Sequence, residues 1–434
     1  MREMKDSGIE WIAHIPSNWT TNRMKYLFTN GKGLSITKEN LIETGLPVIS
    51  YGQIHSKSNS GTDIKDELLR FVDFQYQTNY PQCEVFQYDF VFADTSEDYD
   101  GCGNCVYKRD PSLLFGGYHA IILHSLVKRD NRYFAYLFKT DSWRKQLREV
   151  ASGVKLFSIT QKVLMNSSVI VPPEDEQKAI SDYLDLRCTE LDTIISDIQS
   201  QIEALEEYKR SVITEAVTKG LDPDVEMRDS GVQWIGMIPK HWRITKFKYI
   251  CKVKSNLVDV RKYQEYPQIS PENIEKDSGL LVSYNTVEES GVISDNHLFY
   301  KGQIIYSKIR PKLNKATIAP FDGLCSADMY PIETTEITKY ILYVILSQYF
   351  LSQVVLQTED RVKMPKINQE ELGTVIIALP IQNEQQQIAD YLDSKCAEID
   401  SIITEKKQQI ETIEEYKKSL IFEYVTGKKE VPAQ

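Results

Sequence analysis

The sequence predicts mixed α/β (α+β) modules: two globular modules, each followed by a long coiled-coil helix, as two copies of one duplicated unit. Residues 4–12 return as residues 227–235, at an offset of 223, and residues 172–218 return as residues 380–426, at an offset of 208. The longer match has 25 identities among 47 aligned pairs. Because solenoid repeats are only about 20–50 residues long, this repeat is a duplicated domain with its helix.

The duplication divides the 434 residues into four segments. We predict a first module with its opening segment at 1–172, a first long helix at 173–222, a second module with its opening segment at 223–379, and a second long helix with a tail at 380–434. Within the modules, β-rich runs alternate with turn residues, and one helix per module is expected. The strand runs are 46–51, 90–93, 120–123, 303–306 and 374–377, and the helices are 133–147 and 340–354.

Apolar residues in the two long segments alternate by three and four, which is typical of a coiled-coil seam. Asp175 and Asn383 are the expected N-caps. Two such helices in one chain should pair with each other, antiparallel, and relate the two copies by a pseudo-twofold. The alternative is that each helix packs separately on its own module. The seam residues are Leu184, Leu191, Ile195, Ile202, Leu205, Leu392, Ile399, Ile403, Ile410 and Ile413.

The net charge of −11 is unevenly distributed. Residues 20–172 and 243–379 carry +2 and +1, whereas the helical segments 173–219 and 380–434 carry −7 and −4. The modules therefore carry a small net positive charge and the helices a net negative charge, a pattern that the whole-chain charge hides. The seven scattered cysteines fit a reducing compartment. No run of 18 apolar residues appears, so we expect a cytoplasmic protein with no membrane contact.

Basic residues cluster in loops of both modules. Such clusters supply phosphate contacts and forked donors for guanine edges, and their recurrence favours a DNA interface. The alternative is that they are ordinary solvated loops. The candidate DNA-binding residues are Lys128, Arg129, Arg132, Arg144, Lys145 and Lys155 in the first module, and Lys308, Arg310, Lys312, Lys315, Arg361, Lys363 and Lys366 in the second.

Two further motifs are interpreted as structural. Trp11 and Trp19 recur as Trp234 and Trp242, which indicates an apolar clasp that pins the start of each module. The CxxC at residues 102–105 is alone, and a zinc site would need two more ligands, so no metal site is expected. Cys188 and Cys396 fall on the helix seam as small core residues.

Catalytic signals are weak throughout the chain. No GxxxxGK[ST] loop for ATP phosphates and no GxGxxG between a strand and a helix is present. The Asp/Asn-Pro-Pro-Tyr tetrad of amino-methyltransferases is also absent. Residues 176–178 (Glu-Gln-Lys) match half of a nuclease signature but fit a helix-capping turn better. We therefore assign no catalytic residues.

Taken together, these motifs resemble the DNA-specificity subunit of type I restriction–modification systems. The resemblance rests on Asp-Ser-Gly-Ile-Glu-Trp-Ile…Ile-Pro…Trp at 6–19 and its copy at 229–242, on Pro…Glu-Gln…Ile…Asp-Tyr-Leu-Asp at 172–185 and 380–393, and on Glu-Tyr-Lys at 207–209 and 415–417. Each motif alone is moderately specific. Their duplication in register, around two dissimilar modules, is highly specific.

The resemblance implies a non-catalytic subunit with two target-recognition domains, each reading one half of a bipartite, asymmetric site in double-stranded DNA. The paired helices would set the spacer between the halves and dock two methylation subunits, which bring S-adenosylmethionine. Restriction subunits, which translocate DNA, would bring ATP and Mg²⁺. A stand-alone bivalent DNA-binding regulator is the alternative.

Overall fold

The computed structural model of the chain describes residues 2–59, 61–151, 153, 156–361 and 364–432. The chain forms two compact units, and each contains a module together with parts of both long helices. Unit 1 comprises Met1–Asp197 and Gln409–Gln434, and unit 2 comprises Ile198–Gln408. The predicted fold class, mixed α/β modules with two long helices, is confirmed.

Unit 1 is built from thirteen strands among its described residues: β1 Met4–Ile9, β2 Ile12–Pro16, β3 Thr20–Arg23, β4 Phe28–Lys32, β5 Leu46–Ile49, β6 Arg70–Val72, β7 Phe90–Ala93, β8 Thr95–Ser96, β9 Cys105–Tyr107, β10 Phe115–Gly116, β11 Ala120–Ser125, β12 Phe157–Ser158 and β13 Ser168–Val171. Its helices are α1 Tyr51–Ile54, α2 Gln75–Asn79, α3 Arg132–Phe138, α4 Asp141–Arg148, α5 Gln161–Asn166 and the start of α6 Glu174–Lys219.

Unit 2 also has thirteen strands in the described part of the chain: β14 Met227–Asp229, β15 Met237–Pro239, β16 Arg243–Lys246, β17 Cys251–Val253, β18 Leu257–Val258, β19 Pro267–Ile269, β20 Asn285–Thr286, β21 Asn296–Phe299, β22 Ile304–Ser307, β23 Ala316–Ile318, β24 Gly323–Cys325, β25 Met329–Thr334 and β26 Ile376–Leu379. Its helices are α7 Phe247–Ile250, α8 Val287–Ser290, α9 Thr338–Leu346, α10 Gln348–Leu356, α11 Gln369–Thr374 and most of α12 Gln382–Val425.

Each module is organised around a four-stranded antiparallel sheet. The strand order is β4-β11-β7-β9 in unit 1 and β17-β25-β22-β23 in unit 2. Because side chains alternate along a strand, Phe90 and Phe92 of β7 enter the core beneath the helices, whereas Val91 and Ala93 enter a second core beneath the sheet β10-β5-β6. Both faces of the central sheet are therefore buried, and functional side chains have to project from its ends.

The two tryptophans at the start of each module differ in burial. Trp19 and Trp242 are buried, and their Nε1 atoms donate to Glu176 at 2.8 Å and Glu384 at 2.9 Å, equivalent glutamates in the first turns of α6 and α12. Trp234, in contrast, is 43% exposed. The predicted clasp is confirmed for the second tryptophan of each module, which joins the start of the module to the start of its long helix.

The long helices pair antiparallel within each unit. In unit 1, Tyr183 contacts Tyr424 and Asp192 ion-pairs with Lys417, so residue numbers rise along α6 as they fall along α12. In unit 2 Lys209 ion-pairs with Asp400 in the same sense. The ten predicted seam residues are all buried or half-buried; Ile403, for example, is 7% exposed, whereas its copy Ile195 is half-buried.

The same helices also pack on their own modules, although not separately, since they remain paired with each other. Leu184 and Cys188 of α6 belong to the core of unit 1, and Leu392 and Cys396 of α12 belong to the core of unit 2. Burial raises the pKa of both cysteine thiols to about 11. The two cysteines are small core residues, as predicted.

Local boundaries differ from the sequence-based expectations at two kinds of position. The long helices begin at Glu174 and Gln382, which puts Asp175 and Asn383 inside the first turn instead of at the N-cap. The helix predicted at 133–147 is two helices, because the Thr140 side chain accepts a hydrogen bond from Trp143 N and starts a new helix there. Its counterpart at 340–354 is likewise split, into α9 and α10.

No single helix in the described part of the chain is long and apolar enough to cross a bilayer. Only α9 and α10 taken together, across a bend of 61°, reach that length and composition. Most of their apolar side chains belong to the core of unit 2.

Candidate nucleic-acid interface

In unit 2, two basic segments that are distant in sequence form one surface. Lys308 directly follows the central strand β22, and its carbonyl accepts a hydrogen bond from Ile367 N at 2.9 Å. Arg310 N donates to Pro365 O at 2.8 Å, and Ile309 forms a β-bridge with Lys366. We define the basic surface as the candidate cations of this region that the structure describes: Lys308, Arg310, Lys312, Lys315, Arg361 and Lys366.

The cations of the basic surface differ in how they are held. Arg310, Lys312 and Lys366 are exposed. Lys308 lies over the ring of Tyr330, with its Nζ 5.1 Å from the ring centroid, and Lys315 Nζ donates to a backbone carbonyl, Pro271 O, at 2.7 Å. The three exposed side chains are therefore the ones best placed to meet an anionic ligand.

Arg361 supports the surface from its side. Its guanidinium ion-pairs with Glu371 and donates to Lys366 O. The hydrogen bond from Arg361 lowers the pKa of Glu371, so the pair is charged at neutral pH. Arg361 thereby holds residues 364–367, the return segment, which runs back alongside residues 308–310. Lys363 lies outside the described residues.

The backbone of the basic surface is strained. Arg310, Asn314 and Met364 have φ angles of 47°, 44° and 48°, in the left-handed region that side chains other than glycine rarely adopt. Asn314 is buried, and its Nδ2 donates to Leu346 O at 3.1 Å, which holds the turn in place. Such strain persists where the surrounding structure over-determines it, and it clusters at functional sites. The surface is thus preorganised.

The candidate cations of unit 1 that the structure describes do not form a comparable surface. Lys128 is exposed, and Arg129 lies 3.6 Å from Glu174 at the start of α6. Lys145 is exposed on α4, 3.7 Å from Glu149. Lys155 lies outside the described residues.

Arg132, a candidate DNA-binding residue, is buried and ion-paired within unit 1. It is only 7% exposed, and its guanidinium donates to three carboxylates, those of Asp130, Asp182 and Asp185. Burial lowers the pKa of Arg132, but these hydrogen bonds outweigh it and the pKa is raised. A guanidinium held in this way is not free to turn to a phosphate, which disfavours a DNA contact by Arg132. It instead fastens α3 to α6.

Arg144 faces a cavity of about 590 Å³ that three other cations also line, Lys139, Arg148 and Lys418. Its Nε donates to Phe138 O at 2.9 Å. Burial lowers the pKa of Lys139 to about 8. The sequence-based search missed Lys139 because it is isolated from other cations in the chain.

In unit 1, the segment after the central strand β7 has the same backbone frame as the basic surface of unit 2. Asp94 O accepts a hydrogen bond from Ile159 N at 2.8 Å, and Ser96 pairs with Phe157. Asp94 N donates to His119 O at 3.1 Å. This segment reads Asp-Thr-Ser-Glu-Asp and contains no cation, so a pattern of basic residues does not point to it.

Among the residues that the structure describes, no three His, Cys, Asp or Glu side chains are placed to hold a metal ion. Cys102 and Cys105 of the CxxC are buried with free thiols. Burial raises the pKa of Cys105 to about 11, which disfavours the thiolate that metal ligation requires.

Comparison with known proteins identifies a matching protein family. A family model described as "Type I restriction modification DNA specificity domain" matches residues 16–204 and 239–412. The EcoDI specificity subunit of a type I restriction enzyme from Escherichia coli is 30% identical over 273 residues, which is 59% of this chain and 61% of that subunit's length. A putative MjaX specificity subunit from Methanocaldococcus jannaschii is 24% identical over 96% of this chain and 95% of its own.

The fold also has a solved counterpart. A chain from a structure that concerns complex assembly and conformational transition of the type I R-M system aligns with a TM-score of 0.65 at 14% identity. The alignment covers 96% of this chain and 99% of that one. At this identity the likeness speaks for the fold alone.

Proposed function

This chain belongs to the type I restriction modification DNA specificity family, and we propose that it is the subunit that selects the DNA sequence in a type I restriction–modification complex. Each module reads one half of a bipartite, asymmetric site, and the helices α6 and α12 set the spacer. A stand-alone regulator is disfavoured, because the relatives described above are specificity subunits of restriction enzymes.

One observation carries the proposal: a single backbone frame presents different side chains in the two modules. The return residues Ile159 and Ile367 are equivalent at the repeat offset of 208, and both donate to the residue that follows the central strand. That residue is Asp94 in one unit and Lys308 in the other. A chain that keeps its frame and varies its surface suits recognition of two unlike half-sites.

Electrostatics favour the modules over the helices as the DNA-facing parts. The long helices carry net negative charge, and phosphates repel carboxylates, whereas the exposed Arg310, Lys312 and Lys366 attract them. Arginine can also donate a forked pair of hydrogen bonds to guanine O6 and N7. The basic surface therefore supplies both affinity and base discrimination.

The long helices carry a second repeated surface, which we assign to partner subunits. In unit 1, Arg187 ion-pairs with Glu190, and its pKa is raised first by Glu190 and then by Tyr183 and Tyr416. Ile194, one turn along the helix from Glu190, is 46% exposed. We call this set of five residues patch 1.

Unit 2 has the same arrangement at the repeat offset. Lys395 ion-pairs with Glu398 at 2.8 Å, and its pKa is raised first by Glu398 and then by Tyr208 and Tyr391. Ile402 is 37% exposed. These five residues form patch 2.

Folding does not account for the repetition of patch 1 and patch 2. Tyr208 and Tyr416 are 54% and 49% exposed, and an exposed apolar side chain usually tolerates replacement by a polar one. A matching surface in two copies, with Arg187 in one and Lys395 in the other, is what two identical partners require. We therefore propose that one methylation subunit docks on each patch, with an aromatic and aliphatic centre and a charged rim.

Stoichiometry tests the docking proposal. Ile194→Asp is expected to remove one methylation subunit from the complex, Ile402→Asp the other, and the double variant both, as measured by native mass spectrometry. Leu186→Ser is the matched control, because Leu186 is 59% exposed but has Ser394 as its copy. Full binding of two subunits by the double variant would exclude the patches as docking sites.

The recognition proposal is tested by mapping methylated bases in a host that expresses the chain with its methylation subunit. We expect one bipartite, asymmetric motif. Arg310→Gln with Lys312→Gln should alter one half of the motif and leave the other half and the spacer unchanged. Methylation that lacks sequence preference, or that follows a motif unaffected by any substitution in the modules, would contradict the proposal.

Catalysis is assigned to the partners. We expect S-adenosylmethionine to bind the methylation subunits, and ATP and Mg²⁺ to bind the restriction subunits, in the cytoplasm where the host DNA lies. The purified chain alone should turn over neither S-adenosylmethionine nor ATP. Turnover by the isolated chain would place a catalytic site in it.

A further inference from the structure

The segments that follow the two central strands begin with matching backbone contacts, although their sequences are unrelated. Asp94 N donates to His119 O at 3.1 Å, just as Lys308 N donates to Asp328 O at 3.0 Å. The carbonyl oxygens of Asp94 and Lys308 then accept hydrogen bonds from Ile159 N and Ile367 N, respectively. Residues 94 and 308 are therefore equivalent positions of one fold.

The equivalence extends along the segment. Ser96 pairs with Phe157, and Arg310 donates to Pro365 O, where Phe157 and Pro365 are again related by the offset of 208. Residues 94–96 consequently correspond to residues 308–310, and residues 97–98 and 311–312 continue the two chains from there. We call residues 94–98 the unit 1 loop and residues 308–312 the unit 2 loop.

The two loops carry opposite hydrogen-bonding chemistry. The unit 1 loop reads Asp-Thr-Ser-Glu-Asp, and the unit 2 loop reads Lys-Ile-Arg-Pro-Lys. Glu97 and Asp98 are exposed, and their carboxylates only accept hydrogen bonds. Arg310 and Lys312 are exposed, and their side chains only donate.

The unit 1 loop is held as firmly as its counterpart. The Asp94 carboxylate accepts hydrogen bonds from Thr95 Oγ1 and from the His119 ring, both at 2.7 Å. His55 Nε2 donates to Thr95 O at 2.8 Å, and its Nδ1 lies 3.0 Å from Asn104 Nδ2, so both ring nitrogens are held in place. Asp94 and His55 thus position the loop.

A close backbone approach restricts the far end of the unit 1 loop. Gly101 N donates to Asp98 Oδ1 at 2.5 Å. A Cβ on Gly101 would lie 2.3 Å from Ser96 Oγ and 3.0 Å from Asp98 Oδ1, so a larger residue there would displace these side chains. The loop is preorganised although it offers no cation.

We propose that the two units read base edges of opposite hydrogen-bond polarity through these equivalent loops. In unit 1, Glu97 and Asp98 accept hydrogen bonds from the amino groups of cytosine N4 or adenine N6. In unit 2, Arg310 and Lys312 donate to guanine O6 and N7. This inference rests on the proposed function, and it assigns to unit 1 specificity residues that a search for positive charge overlooks.

Because the two loops carry opposite charges, neutralising them should affect non-specific DNA binding in different ways. Carboxylates near the phosphate backbone oppose binding to every sequence alike, so Glu97 and Asp98 contribute by discrimination and not by affinity. Neutralising them should leave non-specific binding unchanged or tighten it. Neutralising Arg310 or Lys312 should weaken non-specific binding and flatten its salt dependence.

The test uses the full chain in complex with its methylation subunits and the DNA motif that this complex methylates. Glu97→Gln and Asp98→Asn keep an acceptor oxygen and add a donor, and Asp98→Asn retains the contact with Gly101 N. Glu43→Gln, an exposed carboxylate elsewhere in unit 1, is the matched control. Competition binding with specific and random duplexes gives the specificity ratio, and melting temperature checks folding.

We expect each loop variant to lower the specificity ratio about 5- to 100-fold, through the half-site of unit 1 alone, with non-specific affinity equal to or above that of the wild type. Replacing guanine by 7-deazaguanine, which lacks the N7 acceptor, should weaken binding in the half-site of unit 2 only. Unchanged ratios in both variants, or equal losses of specific and non-specific binding, would overturn the inference while the proposed function stood. A wild-type complex with no preferred site would overturn the proposed function itself.

Discussion

Lys209 on α6 lies with its Nζ 2.7 Å from both carboxylate oxygens of Asp400 on α12. The same pair recurs as Lys417 and Asp192, with the helices exchanged. Each unit therefore contains one copy of an ion pair that joins the two long helices, and each copy takes its lysine from the helix that begins in the other unit.

Lys209→Ala is expected to lower the free energy of unfolding by about 2 kcal/mol. The Lys209 side chain is 10% exposed and Asp400 40%, so the loss should fall below the roughly 3–5 kcal/mol for breaking a fully buried pair. Lys178→Ala, which removes a pair exposed at 75% and 44%, should cost less than about 0.5 kcal/mol. Chemical denaturation measures both. Equal losses would show that burial of Lys209 has no energetic weight.

Arg132→Met is expected to destabilise unit 1 without changing the DNA motif. The substitution leaves Asp130, Asp182 and Asp185 close together without their shared cation, which should cost about 3 kcal/mol. Differential scanning calorimetry and methylation mapping give the two readouts. An altered half-site at unchanged stability would restore Arg132 to the DNA surface.

Stability should fall in acid partly through Asp110. Burial raises its pKa, but hydrogen bonds from Lys108 and Ser112 outweigh this and lower the pKa from 3.8 to about 2. A carboxyl with a lowered folded-state pKa stabilises the fold above pH 3.8 and loses that contribution as the pH falls towards 2. Asp110→Asn should therefore flatten the decline of melting temperature between pH 4 and pH 2. An identical decline in the variant would show that Asp110 is not involved.

A fragment of residues 1–222 should form a twofold dimer. It lacks the segment of α12 that covers Leu184 and Leu191 in unit 1, and the repeat lets α6 of a second copy take that place. Lys209 of one copy would then meet Asp192 of the other. With methylation subunits the dimer should recognise an interrupted palindrome built from one half-site.

Light scattering and charge reversal test this dimer. Lys209→Glu alone should give monomers, and adding Asp192→Lys in the same chain should restore the dimer. A folded monomer of the unsubstituted fragment, or a dimer that still modifies the asymmetric site, would mean that the two halves are not interchangeable.

Periodic features were predictable from the sequence, and features that depend on distant partners were not. The spacing of Leu184, Leu191 and the other seam residues follows from helix geometry and needs no knowledge of the modules. The sequence does not distinguish Arg132 from its neighbour Arg129, because it does not show whether water or carboxylates surround an arginine. The carboxylates of Asp182 and Asp185 reach Arg132 only through the fold.

The loop beside Asp94 was missed for a different reason. The two modules differ in length by 15 residues and share little sequence, so the sequence alone offers no alignment of their loops. Backbone hydrogen bonds carry the correspondence between Asp94 and Lys308, and backbone bonds leave no trace in side-chain composition. The break at Thr140 was also not predicted, because it depends on a hydrogen bond that the Thr140 side chain accepts from Trp143 N.

The hydrogen bonds from Trp19 to Glu176 and from Trp242 to Glu384 bring the two ends of each module within 3 Å of each other. A segment whose ends meet behaves as a cassette: its interior can lengthen, shorten or change without moving the helix that follows. Because both cassettes close on the same residues, genetic exchange between the two repeats, or with a related gene, would join compatible ends. New pairs of half-sites could then arise by recombination in single steps, without redesign of the helices.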